Sequence, residues 1–157
     1  MPESPFRHAK ADDSPGFLLW KLTILWQQKL AEVLDTHGIT QTQYAILASL
    51  RWFEERGEPP HQAHLAQHTR MDKMTLSKAL RRLEAQGLVR RTPSKDDSRA
   101  MEVMFTAKGR RLIPQAVVGI ETADAEFFGR LGVADLATYQ ALTAVLIAGN
   151  SGSVMQK

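Results

Sequence analysis

Apolar residues recur along this chain first at helical spacing, then briefly in alternation, then at helical spacing again. Between 17 and 34, Phe17, Leu18, Trp20, Leu22, Ile24, Leu25, Leu30, Val33 and Leu34 cover more than one stripe. This predicts a helix that packs against two partners. Ser14 and Pro15 supply its N-cap and first position, and Gly38 its stop. Thr40 and Gln43 form a T-x-x-Q capping box ahead of a strongly apolar run, 44–53, which Gly57, Pro59 and Pro60 end. A short helix over about 61–68 is anchored by Ala63, Leu65 and Ala66, and Asp72 caps the next one. On that helix a 100° step puts Leu76, Ala79, Leu80 and Leu83 on one side. Gly87 ends it. Two β-prone runs follow, 88–92 and 101–105, around a charged tip over 93–100. Thr106 opens a long helix at Ala107, Pro114 is expected to kink it about two turns in, and Gly132 separates it from a last helix over 134–148.

This order predicts a mainly α chain built around a winged helix-turn-helix with a two-stranded wing, over 39–106. Helical segments 14–38 and 107–149 flank it, and the ends, 1–13 and 150–157, are expected to be a disordered tail and a frayed one. The flanking helices are too apolar to be solvated spacers. Phe17, Leu18, Ile113, Val117, Ile120, Phe127, Phe128, Leu131, Leu136, Tyr139, Leu142, Val145 and Leu146 all need burial. A second copy of the chain can cover them, making a homodimer; closure on the chain's own domain is the alternative.

Composition narrows the class. At 157 residues, 43% hydrophobic and 24% charged, the chain suits one globular domain, or one compact domain with an oligomerisation extension. No apolar run reaches bilayer length and the N-terminal residues lack an apolar signal region, so no membrane association and a cytoplasmic location are expected. The absence of cysteine excludes disulfides, thiolate zinc sites and cysteine redox switching.

Charge is more telling for where it lies than for how much there is. Residues 73–99 hold eight Lys/Arg against three acids, a local +5 in a chain of net +3. That is the pattern of a nucleic-acid footprint. Lys73 opens the basic helix, and Met74, Thr75, Lys78, Arg81 and Arg82 fall opposite its apolar face. Arg and Lys donate to guanine or phosphate, a Thr hydroxyl to either, and an apolar tip meets a thymine methyl. Residues near the helix start approach bases and later ones the backbone. Thr75, Ser77 and Lys78 are therefore expected on bases, Arg81 and Arg82 mainly on phosphates. The same helix also fits a solvated basic face. The tip carries Lys95 and Arg99, the latter suited to a narrow minor groove, with Asp97 placed to orient its guanidinium. A merely solubilising hairpin is the bland alternative.

The L-x-x-x-L-R-R-L-E-A-Q-G-L-V-R-R block (Leu76 to Arg91), the D-S-R of the tip (Asp97 to Arg99) and F-T-A-K-G-R-R-L (Phe105 to Leu112) resemble the MarR family of winged-helix regulators, over about 14–149. The resemblance implies an obligate homodimer with interlocked first and last helices on a pseudo-palindromic double-stranded operator. It implies a sequence-specific transcriptional regulator, most often a repressor, released by a small ligand. By motif position its recognition contacts fall on Thr75, Ser77, Lys78 and Arg82, and its minor-groove arginine on Arg99. Phe105 stands where the family usually has Leu. The absence of cysteine argues against the family's peroxide-sensing branch.

Trp20, Trp26, Tyr44, Trp52 and Phe53 are candidate walls for an aromatic or apolar effector, with Lys21, Lys29 or Arg51 to meet a carboxylate. Ordinary core packing explains aromatics at this spacing equally well. His64 and His68 have i, i+4 spacing that a metal can use, but no third ligand is evident, so no metal is expected. No cofactor fingerprint or catalytic motif occurs, and enzyme activity is not expected. A winged-helix protein-interaction module without DNA readout is the competing function, and the cations on the outer face argue against it.

Overall fold

The computed structural model describes residues 4–153. Six helices and one hairpin follow in order: α1 (Pro15–Asp35), α2 (Gln41–Glu55), α3 (Gln62–Thr69), α4 (Lys73–Ala85), β1 (Val89–Pro93), β2 (Met101–Phe105), α5 (Ala107–Phe128) and α6 (Val133–Asn150). The chain divides into two compact units, one ending at Glu121 and one beginning at Thr122.

The expected punctuation is present atom by atom. The Phe17 N–H donates to Ser14 Oγ at the start of α1. At α2 the Gln43 N–H donates to Thr40 Oγ1 (3.2 Å) while Gln43 Oε1 accepts the Thr40 N–H (3.0 Å), a closed capping box. Gly38, Gly57 and Gly87, where a helix must turn back, all have positive φ. Two expectations at the ends change. Residues 11–13 of the supposed tail form a 3-10 turn (Ala11–Asp13), and Asp12 pairs with Lys21 at 2.9 Å. Ser151–Ser153 form another such turn after α6. The rest of those expectations, 1–3 and 154–157, lies outside the described residues. Pro114 sits inside α5 without ending it.

The core of the first unit joins Leu30 and Leu34 of α1, Ile46, Leu47 and Leu50 of α2, Leu65 of α3, Leu76, Leu80 and Leu83 of α4, Val103 and Phe105 of β2, and Ile113 of α5. α4 packs on α2 and α3, and β2 on both. β1 and β2 pair antiparallel with Val89 opposite Phe105 and Pro93 opposite Met101. The Pro60 carbonyl accepts the Val103 N–H (3.0 Å), fastening the loop before α3 to the hairpin.

β1 starts one residue later than the sequence pattern predicts. The Leu88 N–H is still held by the Leu83 carbonyl (2.9 Å), closing the end of α4. The Leu88 carbonyl in turn accepts the Thr106 N–H (3.1 Å). Thr106 Oγ1 donates to the Gly87 carbonyl (2.6 Å) and accepts the Gly109 N–H (3.1 Å). Gly109 is thereby pressed onto β1: a Cβ there would overlap the Leu88 carbonyl oxygen, stand 2.9 Å from its carbon and 3.1 Å from Phe105 Cδ1. This accounts physically for the T-x-x-G spacing.

A second fastening spans more sequence. Gln86, just after α4, accepts a hydrogen bond from Gln43 Nε2 (2.8 Å) and donates from its own Nε2 to the Gly38 carbonyl (3.0 Å). Gln43 is buried. The end of α4 is thus tied to the corner between α1 and α2.

Ile113 and Ile120 of α5 are buried within the first unit, so these two of the apolar residues expected at a dimer contact serve the chain's own core. Others are uncovered. On α1, Phe17, Leu18, Leu19 and Trp20 are exposed. In the second unit Phe128 and Tyr139 place their ring centroids 5.4 Å apart, while Leu142, Val145 and Leu146 are each at least 60% exposed.

Candidate nucleic-acid interface

Placement of the basic helix begins at the turn before it. Arg70 adopts the left-handed conformation (φ 57°), which ends α3 and redirects the chain within three residues. Asp72 then caps α4: Oδ1 accepts the Thr75 N–H (2.8 Å) and Oδ2 the Thr75 hydroxyl (2.6 Å). These two bonds, the hydroxyl's first, hold the Asp72 carboxyl below its ordinary pKa. Leu76, Ala79, Leu80 and Leu83 are buried, which leaves Lys73, Met74, Thr75, Lys78, Arg81 and Arg82 exposed on the opposite side. Met74, with no apolar neighbour to cover it, is 84% exposed. Ser77 is half-buried at the edge facing the hairpin.

At the hairpin tip the Ser94 N–H donates to the Ala100 carbonyl (2.8 Å) and the Ala100 N–H to the Asp97 carbonyl (3.0 Å). Ser94 is buried, and its hydroxyl donates to Glu102 (3.2 Å). Asp97 takes a different part from the one expected. Its carboxylate accepts the backbone N–H of Arg99 (2.9 Å) rather than the guanidinium. It shapes the turn, and the Arg99 side chain is left exposed.

Helix and tip share a cleft of about 530 Å³, lined among others by Lys73, Ser77, Asp97, Arg99 and His61. On the other flank of α4, Thr75, Lys78 and Arg82 line a second cleft of about 350 Å³ with Thr40, Thr42 and Gln43 from the start of α2. Lys73, Lys78, Arg81, Arg82, Arg90, Lys95 and Arg99 are all exposed, and among the described residues none makes an ion pair.

Not every nearby cation belongs to this surface. Arg91 is turned inward, 2.7 Å from Glu84 and 3.1 Å from Gln62 Oε1. Its guanidinium, first by hydrogen bonding, holds the Glu84 carboxyl below its ordinary pKa. Arg110 pairs with Glu54 (2.7 Å) and Lys108 caps the Gln86 carbonyl (2.9 Å). Thr40, expected only as a cap, and Thr42, not singled out in the sequence, line this surface as well. Arg90, exposed opposite the buried Val89, lies apart from it in a cleft with Phe105, Arg110 and Arg111.

A family model described as an ArnR1-like winged-helix domain matches residues 35–123. The HTH-type transcriptional regulator YdcH of Bacillus subtilis is 32% identical over 115 residues, 73% of this chain and 78% of its own. An HTH-type transcriptional repressor of Mycobacterium tuberculosis is 30% identical over 77% of this chain and 85% of its own. A cysteine-to-serine mutant of Escherichia coli MarR complexed with operator DNA superposes with a TM-score of 0.78, covering 89% of this chain and 99% of that one at 23% identity, a likeness of fold. The chain belongs to the MarR family of winged-helix regulators.

In this MarR-family chain one aromatic-lined cleft gathers Trp52 and Phe53 of the candidate effector walls. Trp52 lines a cleft with Phe53, Glu58, His64, Gln67 and His68, and Trp20, Trp26 and Tyr44 are not among its walls. Of the cations proposed to meet a carboxylate, Lys21 is paired with Asp12 and Arg51 with Glu55 (2.8 Å). The histidines couple α2 to α3. His68 Nδ1 lies 2.9 Å from Ser49 Oγ, and its ring packs 5.1 Å from Trp52 and 5.3 Å from Phe53. His61 and His64 stack on each other at 5.1 Å. Among the described residues no three His, Cys, Asp or Glu side chains gather as a metal-ligand set. No single helix among them is long and apolar enough to cross a membrane.

Proposed function

We propose that this protein is a sequence-specific DNA-binding transcriptional repressor that holds a pseudo-palindromic operator as a homodimer and leaves it when a small aromatic or apolar effector binds. One observation carries the reading: Lys73, Lys78 and Arg82 of α4 and Arg99 of the tip line two adjoining clefts with no ion pair among the described residues, while the neighbouring Arg91 and Arg110 are consumed by Glu84 and Glu54. α4 offers Met74, Thr75, Ser77 and Lys78 to base edges and Arg81 and Arg82 to phosphates. Lys73 and Lys95 add backbone contacts, and Arg99 reaches for the minor groove from a turn that Asp97 shapes. The Mycobacterium tuberculosis relative, named a repressor, supports the sign of regulation.

The uncovered apolar residues of α1 and α6 support the homodimer, since surfaces of this kind are buried in stable assemblies. The effector rests on family kinship and on the aromatic residues Trp20, Trp26, Tyr44 and Trp52. Such a protein works where the DNA is, with no catalytic role.

Binding sites selected from a random duplex pool test this directly. The expected sites are palindromes with half-site centres about ten base pairs apart. Affinity for them should fall with salt at a log–log slope of about −0.9 per phosphate contacted. Replacing Lys73, Arg81 and Arg82 together by Ala removes six backbone contacts from the dimer and should flatten that slope by about five units. Selection of no common sequence, or a slope unmoved by the triple replacement, would overturn the reading.

A further inference from the structure

We propose that Thr75 reads its base only as a hydrogen-bond acceptor, so that the base it meets must be adenine or cytosine, presenting an exocyclic amino group. The inference rests on the DNA-binding reading above and adds to it a rule about operator chemistry.

A threonine hydroxyl has one proton to donate and two lone pairs to receive. A freely rotating hydroxyl can therefore greet any base edge, which is why Ser and Thr ordinarily discriminate poorly. Thr75 is not free. Its Oγ1 lies 2.6 Å from Asp72 Oδ2. Between a carboxylate and a hydroxyl only the hydroxyl can donate, so its proton is directed at Asp72. The second Asp72 oxygen takes the Thr75 N–H (2.8 Å), so the carboxylate is gripped by both donors of one residue and the side chain is held in one orientation. The lowered pKa of Asp72 keeps it ionised at any pH compatible with duplex DNA.

What Thr75 presents outward is thus an oxygen with lone pairs and no proton. Thr75 is exposed in the first turn of α4, the part of a recognition helix that approaches base edges. In the major groove adenine and cytosine carry an amino donor, whereas guanine and thymine turn only acceptor atoms outward. Acceptor facing acceptor repels, and the Asp72 charge next to it deepens the repulsion. The base pair contacted by Thr75 is therefore read for strand orientation as well as identity: A but not T, C but not G. Ser77, which has no carboxylate on its hydroxyl, carries no such rule.

The test uses the full-length protein and an operator chosen by selection from a random duplex pool. Each adenine and cytosine of the half-site is replaced in turn by an analogue lacking the exocyclic amine. At one position the loss is expected to weaken wild-type binding about five- to tenfold. Thr75→Val should bind the unmodified operator as weakly as wild type binds the analogue, and be indifferent to the replacement. Thr75→Ser should keep the amine requirement. Asp72→Asn, which retains an N-cap but can itself donate to Thr75 and release the hydroxyl proton, should admit guanine or thymine at that position in a fresh selection. Salt-sensitive, sequence-selective binding by wild type with no amine requirement that Thr75→Val abolishes would sink this proposal while leaving the DNA-binding reading intact. Absence of salt-sensitive binding altogether would sink both.

Discussion

Replacing Gly109 by Ala adds a single methyl to the first turn of α5. On helix propensity alone the change should stabilise by about 1 kcal/mol. Geometry reverses the sign. The new carbon would overlap the Leu88 carbonyl oxygen and stand 2.9 Å from its carbon, well inside the ~3.5 Å at which carbon atoms rest. The obstacle is backbone, which cannot rotate aside, and Phe105 Cδ1 at 3.1 Å closes another direction. α5 must shift away from β1. That shift stretches the Thr106 N–H bond to Leu88 (3.1 Å) and the Thr106 hydroxyl bond to Gly87 (2.6 Å). Overpacking costs about 1–3 kcal/mol and each weakened bond up to about 1. After the propensity gain is subtracted, a net loss of about 2 kcal/mol remains. For a chain of this length that lowers the melting temperature by about 4–8 °C. Thermal unfolding followed by circular dichroism, at one protein concentration, measures it. Gly16→Ala is the control: at the open start of α1 its Cβ would meet nothing nearer than Ser14 Oγ at 4.0 Å, and it should melt no lower than wild type. A Gly109→Ala protein that melts level with the control would refute the packing argument.

Two further outcomes separate the interior of the winged helix from its reading face. Leu80→Ala, at a fully buried position, should cost about 2–5 kcal/mol in urea unfolding, whereas Met74→Ala, on the exposed side of the same helix, should leave the unfolding midpoint unchanged. Glu84→Gln should cost about 1 kcal/mol at neutral pH by breaking the partly screened pair with Arg91. Because the folded-state pKa of Glu84 lies below its unfolded value, the pair stabilises the fold above the ordinary glutamate range. That stabilisation is lost as the pH falls through the folded-state pKa, so the wild-type and Glu84→Gln unfolding curves should converge in acid; a gap that persists there would show that Glu84 acts through packing instead.

Much of this fold is legible in the sequence because its punctuation is local. Ser14, Thr40 and Asp72 act on residues three positions away, and the left-handed glycines act on their own backbone, so a linear reading sees them whole. The late start of β1 is less legible because the Leu88 N–H is spent on the Leu83 carbonyl, which makes Leu88 the closing residue of α4 although its side chain suits a strand. The charge count located the cationic segment but could not tell an open cation from a consumed one. Arg91 counts the same as Arg90 in the chain, yet its partners Glu84 and Gln62 reach it only through the packing of α3, α4 and β1. Asp97 shows the same limit at short range, where an adjacent acid and base invite an ion pair and the backbone amide takes the carboxylate first. The aromatic residues are ambiguous for a different reason: Trp52, Phe53 and His68 pack on one another across α2 and α3, and helical spacing does not distinguish such packing from a ligand wall.

The two amide contacts of Gln86 make α4 and the α1–α2 corner a single mechanical part. α4 cannot be re-aimed on its own pivot without tearing the half-buried bond to Gln43 or dragging Gly38 along. A push delivered at that corner, from whatever source, would therefore arrive at the outer face of α4 as a tilt of the whole piece, and a Gln86→Ala protein would have a looser linkage through which such a push is partly lost.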